Sequence, residues 1–112
     1  MKKSLIDLKV QLQRQMLLVV ALLFIVSVVF DFTVTYTVAV YRPDTFVFER
    51  NEEFKAFIST GMFPVWIVLF HAVLFMLPFI GLWRKNDYLY VSGIVLMSVV
   101  AGQHIAGGMS WL

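Results

Sequence analysis

The chain alternates long apolar runs with short polar punctuation. Residues 16–40, 57–83 and 88–111 are each apolar enough, and long enough, to cross roughly 30 Å of hydrocarbon as a helix. Residues 1–15 are polar, with Leu5, Leu8, Val10 and Leu12 able to share one side and Lys2, Lys3, Lys9 and Arg14 elsewhere. They read equally as an interfacial amphipathic helix or as a solvated extension of the first span. The pattern predicts an all-α integral membrane fold. It is a three-transmembrane-helix bundle with an N-terminal amphipathic segment, one domain over 1–112.

The punctuation is specific. Arg42-Pro43-Asp44 signals a turn, opening a loop over residues 41–56. Asn51, followed by Glu52 and Glu53, suits the start of a new helix: the amide caps it and the acids favour its positive end. That helix is expected to turn Phe54, Phe57 and Ile58 inward and to run into the second span, with a bend or break near Gly61 and Pro64. Residues 83–88 form a second, tighter polar turn. Within the spans, Pro64, His71 and Pro78 recur every seven residues near one face. Ser98 with Gly102, and His104 with Gly108, offer small-residue contacts for helix packing.

Composition agrees: 61% of residues are hydrophobic and 14% charged, against about 25% charged in soluble domains. There is no cysteine, which removes disulfides, thiolate metal sites and cysteine nucleophiles. The net charge of +2 does not point to nucleic acid, because the basic residues gather at span ends. The apolar run continues past Phe30 without a small-residue cleavage signal, so the first span is expected to be a retained signal anchor. Lys2, Lys3, Lys9 and Arg14, with Arg84 and Lys85 in the second turn, outweigh Arg42, Arg50 and Lys55 among four acids in the first loop. The expected location is the cell membrane, with the N-terminus cytoplasmic and the C-terminus and loop 41–56 outside.

One titratable residue interrupts each span: Asp31, His71 and His104. An intramembrane acid costs about 2.5–3.5 kcal/mol on insertion scales and is rarely placed there without a use. At 1.5 Å per residue the three lie roughly 22, 18 and 24 Å from the inner ends of their spans. They therefore fall in one layer, below the loop that carries Glu49, Asn51, Glu52 and Glu53. Helix spacing also sets Ser27, Asp31 and Thr35 on one face, and hydroxyls there can hydrogen-bond the carboxylate. Gln103 points about 100° away from His104.

An Asp with two His and a nearby Glu is a donor set for a divalent metal such as zinc, manganese or iron(II), with hydrolysis as the attached chemistry. The bland alternatives are an Asp31 hydrogen-bonded to Thr35 and a histidine, packing histidines, and a Glu49–Glu53 run that merely caps a helix. Four readings remain in competition. They are a metal site; a haem- or quinone-holding anchor with His71 and His104 as axial ligands; a structural or assembly subunit; and a proton or ion pathway. The roughly 6 Å difference in depth argues against bis-histidine ligation. A lone three-span chain encloses little lumen, so a pathway calls for a homo-oligomer. Partners are expected to be the lipid bilayer and other membrane chains or further copies. No catalytic activity follows from these residues.

Asp31-Phe32-Thr33-Val34-Thr35, an Asp-x-x-x-Thr late in the first span, and Glu49-Arg50-Asn51, a Glu-x-Asn before the second, resemble an uncharacterised family of small archaeal and bacterial membrane proteins with three to four spans. Glu52 stands where that family usually has proline. The resemblance implies no activity. It implies that Asp31, Thr35, Glu49 and Asn51 belong to one polar cluster.

Overall fold

The computed structural model describes residues 2–47, 49, 51–61 and 65–112. They form five helices: α1 (Lys2–Tyr41), α2 (Pro43–Phe46), α3 (Glu52–Thr60), α4 (Val65–Trp83) and α5 (Asp87–Met109). No strand occurs among the described residues. Three of the helices, α1, α4 and α5, are long and apolar enough to cross a membrane.

α1 runs unbroken for 40 residues, about 60 Å and twice the thickness of a hydrocarbon core. It contains neither glycine nor proline, so nothing in the sequence interrupts its backbone ladder. It ends where Pro43 excludes helical geometry from the residue before it; Arg42 sits at φ −137°. Residues 2–15 of the polar segment form the first third of α1 and run into the first span without a break. Their side chains fasten them to the start of α5. Lys9 Nζ lies 2.7 Å from Asp87 Oδ2, Gln13 Nε2 donates to Asp87 Oδ1, and the Tyr90 hydroxyl donates to the Gln13 carbonyl at 2.9 Å.

The expected second span is cut in two. Residues 57–60 belong to α3, which ends at Gly61 in left-handed geometry (φ 74°), its N–H closing on the Phe57 carbonyl. A Cβ makes that conformation costly, so Gly61 ends the helix. Pro64 lies outside the described residues. At the other end Asn51 Oδ1 accepts from the Phe54 N–H at 3.1 Å, the expected cap. Phe54 turns inward and is buried, with Phe32 of α1 at 5.5 Å edge-on, which seats α3 against the upper part of α1. The side chain of Glu53 is not among those described. Asn86 caps α5 in the same way, accepting from Leu89 N–H.

α5 is the central helix: it packs along both α1 and α4, which touch each other far less. The α4–α5 approach is backbone-close. A Cβ on Gly81 would run into the backbone of Tyr90, and one on Gly93 would meet the Pro78 ring at 2.6 Å. The core below the polar layer is Ala21, Phe24, Leu74, Met97 and Ala101. Of the small residues expected to make contacts, Gly108 does, under the Phe30 ring. Ser98 is exposed and Gly102 has open space beside it, so that pair faces away from the bundle. Wedged apart by α5, α1 and α4 leave a cleft between them in their upper halves.

Candidate functional site

The cleft has a volume of about 1360 Å³. Its walls are mostly apolar, with Phe24, Val28 and Phe32 from α1 and Ile67, Val68 and Phe75 from α4. Asp31, His71 and His104 line it together, one from each long helix.

They are joined in series. Asp31 Oδ2 lies 2.7 Å from His104 Nδ1, and His104 Nε2 lies 2.8 Å from His71 Nε2. His71 Nδ1 lies 2.7 Å from the Ile67 carbonyl oxygen, one turn earlier on its own helix. The Thr35 hydroxyl donates to Asp31 Oδ1 at 3.2 Å and accepts from Trp111 Nε1–H at 3.1 Å. Arg42 Nη2 reaches the Trp111 carbonyl at 3.4 Å. Helix spacing explains the order: Asp31 and Thr35 are one turn apart on α1, and His104, Gly107 and Trp111 follow one face of α5 and its exit. Gly107 is what lets the carboxylate lie on α5, since a Cβ there would stand 3.2 and 3.3 Å from the two Asp31 oxygens.

The histidines are held in place by rings as well. Phe24 lies 5.9 Å from His71 and Phe70 meets it edge-on at 5.4 Å. The polar chain is half-buried rather than fully buried: the side chains of His104 and Asp31 keep 22% and 25% of their exposure, on the cleft side.

Satisfying every contact of the chain at once takes a set number of protons. Three contacts (Asp31–His104, His104–His71, His71–Ile67 carbonyl) need one proton each. Two neutral imidazoles supply two N–H groups. The third proton resides on the carboxyl, giving three neutral groups, or on a ring, giving a carboxylate with one imidazolium. Both distributions have zero net charge. They differ only in where along the chain the protons sit.

The expected metal site does not form. No group of three His, Cys, Asp or Glu side chains among the described residues is placed to hold a metal ion. The reason is which edge of each ring faces which neighbour. Asp31 occupies the Nδ1 edge of His104 and His71 the Nε2 edge, so the carboxylate and the second ring lie on opposite sides and the donors do not converge. The two Nε2 atoms stand at hydrogen-bond distance here, not at the spacing of axial ligands. Metal–imidazole bonds of about 2 Å on each side would set the nitrogens roughly 4 Å apart, not 2.8 Å.

Thr35, Glu49 and Asn51 also line the cleft, in two separate pairs. Thr35 bonds Asp31, whereas Glu49 Oε1 accepts from Asn51 N–H at 3.0 Å at the rim. Ser27 is buried but donates to the Phe24 carbonyl of its own helix, not to Asp31. Gln103 is exposed. Gly107 and Trp111 also belong to the site, although neither was singled out from the sequence. The signal for both was their spacing, three and seven residues beyond His104 on the same face.

No family model, no curated protein and no solved structure matches this chain, so its chemistry must be argued from the site itself.

Proposed function

We propose that this is a three-span integral membrane protein whose Asp31–His104–His71 chain is a proton-exchange centre on the wall of an intramembrane cleft. The N-terminus lies on the cytoplasmic side, so that the cleft opens in the outer half of the bilayer. The observation that carries the reading is the unbroken series of contacts at 2.7, 2.8 and 2.7 Å from carboxyl to backbone carbonyl. A lone carboxylate in hydrocarbon is costly, and a group that is neutral in either proton arrangement avoids most of that cost. A purely structural polar contact between helices needs one hydrogen bond; this one spends three titratable side chains and exposes them to a cleft.

Infrared spectroscopy of the protein reconstituted in lipid tests it. The expected result is a carboxyl signal that responds to pH, is absent in Asp31→Asn and is altered in His104→Ala. An Asp31 signal identical with and without His104 would overturn the proposal. Orientation is checked by single cysteines at Lys2 and Asp44, since the chain has no cysteine of its own. A membrane-impermeant thiol reagent added outside should label only the second.

A second reading rests on a different observation. Leu5, Leu8 and Leu12 are exposed on the N-terminal third of α1, beside the start of α5. Such a stripe, at heptad spacing, suits packing against a second copy or a partner helix, as an assembly subunit requires.

A further inference from the structure

The charges facing the cleft select its occupant. Among the described residues that line it are two carboxylates, Asp31 and Glu49, and neither a lysine nor an arginine. Arg42 reaches only the Trp111 carbonyl. The titratable groups that face the polar layer are therefore Asp31 from α1, His71 from α4, His104 from α5 and Glu49 from the rim. Around them stand the rings of Phe24, Phe32, Phe54, Phe75 and Trp111. Aromatic faces attract cations, and attract most those that shed water easily. An anionic amphiphile would meet the Glu49 carboxylate and a chain with no net positive charge, with no compensating base among the described lining residues. A small inorganic cation would leave most of a 1360 Å³ apolar space unfilled and lose its hydration to rings.

We infer that the cleft binds a hydrophobic monovalent cation, a lipophilic amine or quaternary onium ion, in exchange for the third proton of the Asp31–His104–His71 chain. The inference rests on the proton-exchange reading. With three protons the chain is neutral. A cation entering beside it leaves an uncompensated positive charge in a poorly solvated space. Release of one proton converts the chain to carboxylate and two neutral imidazoles, and the charges balance again: the neutral chain plus the cation becomes the anionic chain with its cation, plus one proton delivered to water. Glu49 at the rim stands on the exit side and adds attraction for the incoming cation.

Calorimetry on the full chain in detergent, with tetraphenylphosphonium as the probe, tests this. Titration in two buffers of different ionisation enthalpy counts the protons released. The expected result is saturable binding with one proton released per cation. Affinity should fall close to tenfold for each pH unit of acidification in the range where the chain holds its third proton. That measurement uses the unaltered protein, so it stands even where a variant fails to fold. Asp31→Asn should weaken binding at least tenfold and abolish proton release. Glu49→Gln should weaken binding a few-fold with release retained. Binding without proton release would overturn the inference, and so would preference for a neutral quinone or an anionic detergent over the phosphonium. The proton-exchange reading is judged separately by the Asp31 infrared signal, which needs no ligand. An intact signal with no cation binding sinks the inference alone.

Discussion

The Nε2 atoms of His71 and His104 stand 2.8 Å apart, although 33 residues and a turn separate them in the chain. Two imidazole nitrogens approach this closely only with a proton between them, one donating and the other accepting. That proton ties α4 to α5, and the next one, between His104 and Asp31, ties α5 to α1. The polar layer therefore both links the three long helices and sets the protonation of the cleft.

Of the two histidines, His104 has a side-chain partner on each ring nitrogen, whereas His71 has one side chain and one backbone carbonyl. His104→Ala should destabilise the bundle more than His71→Ala, by about 1–3 kcal/mol, because it orphans a carboxylate as well as a ring. Unfolding midpoints in mixed micelles check the ranking. Equal effects of the two variants would show that the members act independently.

Gly107 and Gly102 make a matched pair. Gly107→Ala pushes a methyl against the Asp31 carboxylate, whereas Gly102 faces open space. Gly102→Ala should leave the Asp31 infrared signal unchanged and Gly107→Ala should shift it. Where α4 and α5 touch, Gly93→Ala meets the Pro78 ring and Gly81→Ala meets backbone, so both should cost more, about 1–3 kcal/mol each, by overpacking.

Trp111→Phe keeps an aromatic side chain but deletes the N–H that Thr35 accepts, together with part of the indole's volume. The expected loss is about 1 kcal/mol of stability, with a change in the Asp31 signal transmitted through Thr35. Thr35→Val should produce the same spectral change. An altered signal in one variant and not the other would break the proposed link.

The rim is held by local capping. Asn51→Ala removes the acceptor for Phe54 N–H and should cost about 1 kcal/mol, and Gly61→Ala about 1–2 kcal/mol through left-handed backbone strain. Both should loosen α3 over the cleft, seen as faster amide exchange in residues 52–60 with the polar layer unchanged.

Much of this was legible along the chain. Apolar run length marked the three long helices, and counting residues placed Asp31, His71 and His104 in one layer, where the structure joins them. Depth along a helix is a one-dimensional quantity, however, and a metal shell depends on which edge of each ring faces inward. Residue spacing says nothing of that, so an Asp/His/His set that suits a metal proved to be a linear chain. The joint at Gly61 was legible as a bend or break in the second span, and there the structure ends α3 outright. The continuity of residues 2–15 with the first span was legible too, since no glycine or proline interrupts that stretch.

The most direct test of the central claim is nitrogen-15 NMR of histidine-labelled protein in bicelles. The account predicts one N–H proton coupled to both the His71 and His104 Nε2 nitrogens, and a second on the His104–Asp31 contact that is lost in Asp31→Asn. Two separate rings, each exchanging its protons with water and indifferent to Asp31→Asn, would contradict it.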